Sequence, residues 1–164
     1  MKLTWVLAWL TAGCTTMLPG AMPHDLRFDA TKLAQDRCDT TSVDPRVYSS
    51  ETVLHVTPYT RHVMGGPSGM EAHLAGAQLE LRPLPGVTAE LLQRGLECRS
   101  AELLLGRAVP APNEPYVLPG GWVRIDVKSG GGSFLVTVAA EDPARTHEVL
   151  ARAQAFVGRA PAVE

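Results

Sequence analysis

The stretch Gly121-Trp122-Val123-Arg124-Ile125-Asp126-Val127-Lys128-Ser129-Gly130-Gly131-Gly132-Ser133-Phe134-Leu135-Val136-Thr137-Val138-Ala139-Ala140 alternates on both sides of a glycine cluster. Val123, Ile125 and Val127 face one way and Arg124, Asp126 and Lys128 the other. After the glycines, Phe134, Val136 and Val138 alternate with Leu135, Thr137 and Ala139. A period of two with one apolar side predicts two half-buried strands, and Ser129–Gly132 between them predicts a hairpin loop.

Outward from this hairpin the pattern changes to helical spacing. Asp142 as N-cap and Pro143 at the first helical position precede Val149, Leu150, Ala153, Phe156 and Val157, with Gly158 beyond. That is a capped amphipathic helix. On the other side, Gly106 to Gly121 contains Pro110, Pro112, Pro115 and Pro119, too many for a regular element. It predicts an extended connector packed through Val109, Tyr116, Val117 and Leu118. Before it, Thr88 caps a long helix that Gly106 ends. Leu79 and Leu81 alternate with Gln78, Glu80 and Arg82 in a strand over 77–82, and Thr52 to Val56 is a short strand ended by Pro58. Leu26, Ala30, Leu33, Ala34 and Cys38 form the apolar stripe of a first helix.

The order is helix, strand, strand, helix, strand, strand, helix. It predicts an α+β two-layer sandwich, a mainly antiparallel sheet with a βαββα core and an extra N-terminal helix. The ferredoxin-like arrangement is the nearest common plan. With 164 residues, 45% apolar and 20% charged, the chain has the material for one core, assigned to residues 25–158 with a tail at 159–164. A net charge of −2 supplies no electropositive field, which argues against nucleic acid as a partner.

Residues 1–13 have a different composition. Met1 and Lys2 precede an apolar run from Leu3 to Ala12 that includes Trp5, Val6, Leu7, Trp9 and Leu10. Such a run is too short for a stable bilayer span and matches the core of an export signal. It ends in Leu10-Thr11-Ala12-Gly13-Cys14, which resembles the lipobox of bacterial lipoproteins. The resemblance implies cleavage before Cys14 and palmitate-type acylation of Cys14, hence a membrane partner through the N-terminal lipid. Thr15 stands where inner-membrane retention usually has Asp, so the resemblance implies the outer membrane, facing the periplasm. Residues 14–24, with Pro19, Gly20 and Pro23, read as a tether.

Export implies an oxidising compartment. With Cys14 lipidated, Cys38 and Cys98 remain, and a structural disulfide uses the pair. Metal or redox roles for these cysteines would require a C-x-x-C or a Cys-rich cluster with metal-ligand spacing, and the chain has neither. From Gly76 to Val157, the residues Gly76-Ala77-Gln78-Leu79, Arg82-Pro83-Leu84-Pro85-Gly86-Val87-Thr88-Ala89-Glu90, Leu92-Gln93-Arg94, Glu97-Cys98 and the Asp142-Pro143 helix resemble a group of small, uncharacterised exported bacterial proteins. That resemblance implies a fold and no particular activity.

The segment Tyr59-Thr60-Arg61-His62-Val63-Met64-Gly65-Gly66-Pro67-Ser68-Gly69-Met70-Glu71-Ala72-His73 is the most unusual in composition. His62, Met64, Met70 and His73 bracket a glycine- and proline-rich loop, with His55 upstream. Imidazole and thioether suit copper, particularly the reduced ion, so these four form a candidate metal set; a surface loop covering the core edge is the competing expectation. Ser68 lacks the second glycine of a nucleophile elbow, and nothing in the chain ties a serine to His62, His73 or His147. Arg94, Arg99, Arg107, Arg145, Arg152 and Arg159, interspersed with Glu90, Glu97, Glu102 and Glu148, read as solvated mixed charge. The expectation is a non-enzymatic, lipid-anchored envelope module that binds an envelope protein, with copper binding as the alternative function.

Overall fold

The structure is a computed structural model that describes residues 25–38, 45–64 and 69–158. Cys14, the signal and the tether lie outside the described residues, as do Ser68 and the tail at 159–164. The elements are α1 (Leu26–Arg37), β1 (Val53–Met64), β2 (Met70–Leu81), α2 (Ala89–Leu104), β3 (Val123–Gly130), β4 (Ser133–Ala140) and α3 (Thr146–Val157). This is the expected α+β arrangement of helices on an antiparallel sheet.

The sheet order is β1-β2-β4-β3, with every neighbouring pair antiparallel. β2 and β3 therefore run parallel with β4 inserted between them, so β2-α2-β3 is a split β-α-β unit. The ferredoxin-like plan puts a further strand after the last helix. Here that edge is filled by β1, which comes first in the chain and reaches β2 through a hairpin.

The core lies between one sheet face and the helices. Ala77, Leu79, Leu81, Val123, Ile125, Val127, Phe134, Val136 and Val138 meet Leu92 and Leu96 of α2 and Val149, Ala153 and Phe156 of α3. The opposite face presents Arg124, Asp126 and Lys128 to solvent, the other half of the alternation that predicted the hairpin.

Several local expectations change. β1 does not end at Pro58; it runs 12 residues, and Pro58 pairs with Ala77. β1 is an edge strand, where proline is tolerated, and Thr57, Tyr59, Thr60 and Val63 favour its continuation. β2 likewise starts at Met70 instead of 77, so the expected His/Met loop is mostly strand. Of the connector residues, Tyr116, Val117 and Leu118 are buried, but Val109 is 85% exposed. Asp142 caps a 3-10 turn, Pro143–Arg145, that leads into α3, accepting from the Ala144 N–H.

A bulge separates the Tyr59–Gly76 and Thr60–Leu74 pairs. Gly76 is required there: a Cβ at this position would meet the Val138 carbonyl oxygen of β4 well inside contact distance. Beyond it β2 leaves β4 and continues with β1 alone. At the other margin of the sheet, the Val127 N–H of β3 donates to Gln93 Oε1 of α2 at 3.3 Å. Gln93 Nε2 donates to Glu97, which pairs with Arg37 of α1. A polar chain thus ties α1, α2 and the β3 edge together.

Cys38 and Cys98 are bonded, with Cα atoms 5.5 Å apart. The bridge fastens the end of α1 to α2. The expected buried stripe on α1 is thin, however. Only Ala30 is fully buried, Leu26, Leu33, Ala34 and Cys38 are half-buried, and Phe28 is 65% exposed. α2 turns Leu92, Leu96 and Ala101 to the core, so Cys98 lies on its flank at the seam with α1 and is not core-facing.

Candidate functional site

The hairpin beyond the bulge is the most distinctive surface. β2 pairs with β4 only from Gly76 to Leu81, whereas the β1–β2 ladder runs on to Met64–Met70. Five residue pairs, Thr60–Leu74 to Met64–Met70, therefore form a two-stranded ribbon projecting about 15 Å past the sheet. All its residues except half-buried Leu74 are exposed, among them Val63 (41%), Met64 (85%) and Met70 (65%).

The register divides the four residues singled out in this segment. Directly opposed residues of an antiparallel pair share a face, and faces alternate along each strand. Met64 opposes Met70 and His62 opposes Ala72, so His62, Met64 and Met70 lie on one face with Thr60 and Leu74. His73 opposes Arg61 and lies on the other face with Val63 and Glu71. There its Nε2 is 3.3 Å from Glu71 Oε2. His55 is farther down the hairpin, opposite Glu80. Among the described residues no group of three or more His, Cys, Asp or Glu is placed to hold a metal ion.

A second polar centre lies inside the domain, where sequence reasoning anticipated none. Glu114 is fully buried. Its carboxylate takes a two-pronged contact from Arg99, Nε to Oε1 at 3.0 Å and Nη2 to Oε2 at 3.2 Å, and also accepts from the Ala111 N–H at 2.9 Å. Arg99 also donates to the Val109 carbonyl at 2.8 Å and lies 5.4 Å from the Tyr48 ring centroid. Arg152 of α3 donates to the Glu114 carbonyl. Arg99 and Arg152 are thus not part of a solvated charged face; they clamp the proline-rich connector between α2 and α3. The available signal was a lone carboxylate in the otherwise uncharged Pro112-Asn113-Glu114-Pro115-Tyr116, with Asn113 at a positive φ of 59° making the turn. The Glu114 carboxylate is fully engaged by Arg99 and the Ala111 N–H, whereas Arg152 Nε and the neighbouring Tyr116 hydroxyl are buried without a hydrogen-bond partner among the described residues; the centre ties the connector to α2 and α3.

Two phenols flank it. Burial, with help from the negative Glu114 and from Tyr48, holds the Tyr116 hydroxyl far above its ordinary pKa. Burial also raises Tyr48, against the opposing pull of Arg99. Both remain protonated in the folded protein at a pH where an unfolded tyrosine ionises, near 10.0. Above that pH the unfolded chain binds fewer protons than the folded one, so this stability is fully present below about pH 10 and declines as pH rises further. In an alkaline titration, the tyrosinate absorbance of Tyr116 is expected only together with unfolding, as monitored by circular dichroism. Ionisation of all three tyrosines in a still-folded chain would contradict this.

The clefts carry little chemistry. A groove of about 420 Å³ between α1 and α2 is lined by Asp36, Arg37, Glu90, Gln93, Arg94 and Glu97, acidic and basic groups interspersed. Beneath α1, a space of about 150 Å³ touches Leu33, Ser100, Trp122, Val123 and Ile125. No described serine is hydrogen-bonded to a histidine, and His147 is exposed on α3. No helix among the described residues is long and apolar enough to cross a membrane. No family profile, characterised protein or solved structure matches the chain.

Proposed function

We propose that this protein is a lipid-anchored module of the cell envelope, acylated on Cys14 and held at the outer membrane facing the periplasm, which binds an envelope protein without catalysing a reaction. The observation that carries the binding role is the ribbon. An isolated two-stranded hairpin is marginal in water, and this one spends its exposed surface on Val63, Met64 and Met70 at the end farthest from the core. Flexible thioethers suit a surface that adapts to a partner. Support for the anchor comes from Leu10-Thr11-Ala12-Gly13-Cys14 and the proline- and glycine-containing tether after it.

Two measurements test the parts separately. Metabolic labelling with a fatty acid is expected to mark the wild-type chain and not Cys14→Ser; equal labelling removes the anchor. Photo-crosslinking residues placed at Met64 and Met70 in intact cells are expected to yield a discrete protein adduct that the same group at Arg94, on exposed α2, does not. Identical patterns from all three positions would remove the ribbon as the binding surface.

A further inference from the structure

We infer that the ribbon carries a binding site for a soft monovalent cation, Cu(I), formed by His62, Met64 and Met70 and excluding His73. The site follows from the register. Met64 and Met70 are a directly opposed pair, which sets their Cβ atoms about 5 Å apart. His62 is two residues before Met64 on the same face, about 7 Å along the strand. The three side chains therefore rise from the corners of a small triangle, and unbranched thioethers can swing their sulfurs to its centre. Ala72 opposes His62, so the fourth corner carries only a methyl group and the imidazole has room to lean inward.

The surroundings select the ion. Along the ribbon this face carries Thr60, His62, Met64, Met70, Ala72 and Leu74, with no carboxylate and no cationic side chain. Two thioethers and one imidazole are soft to borderline donors, matched to Cu(I); Zn(II), Mg(II) and Ca(II) prefer nitrogen, thiolate or oxygen sets that this face lacks. Arg61, Glu71 and His73 are all on the reverse face, where Glu71 engages His73. Met64 and Met70 also belong to the proposed partner surface, but copper uptake needs neither lipid nor partner, so the site stands or falls on the isolated chain.

The test is a titration of the full chain with Cu(I) against a competing Cu(I) chelator under anaerobic conditions. Wild type is expected to take up one equivalent more than Met64→Leu/Met70→Leu, which keeps the apolar surface and removes both sulfurs. His62→Ala should weaken that uptake roughly tenfold, a loss of about 1.4 kcal/mol, while His73→Ala leaves it within about twofold. Equal uptake by wild type and the double variant, or equal losses in His62→Ala and His73→Ala, overturns the assignment. Should the substitutions disturb the hairpin, X-ray absorption on the wild-type Cu(I) complex decides: two sulfur scatterers and one nitrogen are expected, and a nitrogen- or oxygen-only shell overturns the site.

Discussion

Glu114→Ala is expected to destabilise the domain by about 3–5 kcal/mol, as judged by urea unfolding, because it leaves Arg99 half-enclosed without its counter-charge. The Arg99 side chain is 22% exposed and the Glu114 carboxylate wholly buried, so water can replace only part of what the guanidinium loses. The Ala111 N–H loses its acceptor at the same time. Removing both charges is a different experiment. Arg99→Leu/Glu114→Leu should recover most of the loss, since the cost of breaking such a pair lies in the abandoned charge more than in the absent attraction. A double variant as unstable as Glu114→Ala would mean that the connector is held by the Arg99 contact to the Val109 carbonyl instead.

The second large effect concerns the disulfide. The bridge joins residues 60 apart in sequence and so closes a loop containing β1, β2 and most of α2. Constraining a loop of that size in the unfolded chain contributes about 4 kcal/mol, a large fraction of the 5–15 kcal/mol typical of a domain. Cys38→Ala/Cys98→Ala is expected to lower the unfolding free energy by about that amount. α1 should also be the first element whose amides exchange with solvent, since Ala30 is its one fully buried residue. A loss below about 1 kcal/mol, with α1 still protected, would show that packing and the Arg37–Glu97 pair hold the helix without the bridge.

The parts of the fold legible in the sequence were those with a clean period. Val123 to Lys128 and Phe134 to Val138 were placed on the correct faces because one side of the sheet is covered and the other is wet, so alternation and burial coincide. β1 was cut short at Pro58 because a proline in an apolar run looks like an end, and only the pairing partner shows that it lies on an edge. The ribbon is illegible for a related reason: with both faces exposed, nothing forces alternation, and Gly65, Gly66, Pro67 and Gly69 between its two strands read in the sequence as a loop. The His/Met set was visible as a cluster, but the pleat that sends His73 to the reverse face depends on the register, which a bulge at Gly76 resets. Glu114 was missed because a buried carboxylate announces itself only through its partners, and Arg99 is 15 residues away on another element.

The two margins of the sheet differ in a way that bears on assembly. On β3 a backbone donor is already taken by Gln93, within a polar chain that reaches α1. On β1 no helix side chain among the described residues plays that part, and Pro58 interrupts the row of amides near its middle. A strand from another molecule would therefore find the Val127 amide of one border already engaged and the other border interrupted at Pro58. Strand addition at β3 would have to displace the Gln93 contact, whereas at β1 it would meet a missing N–H at Pro58.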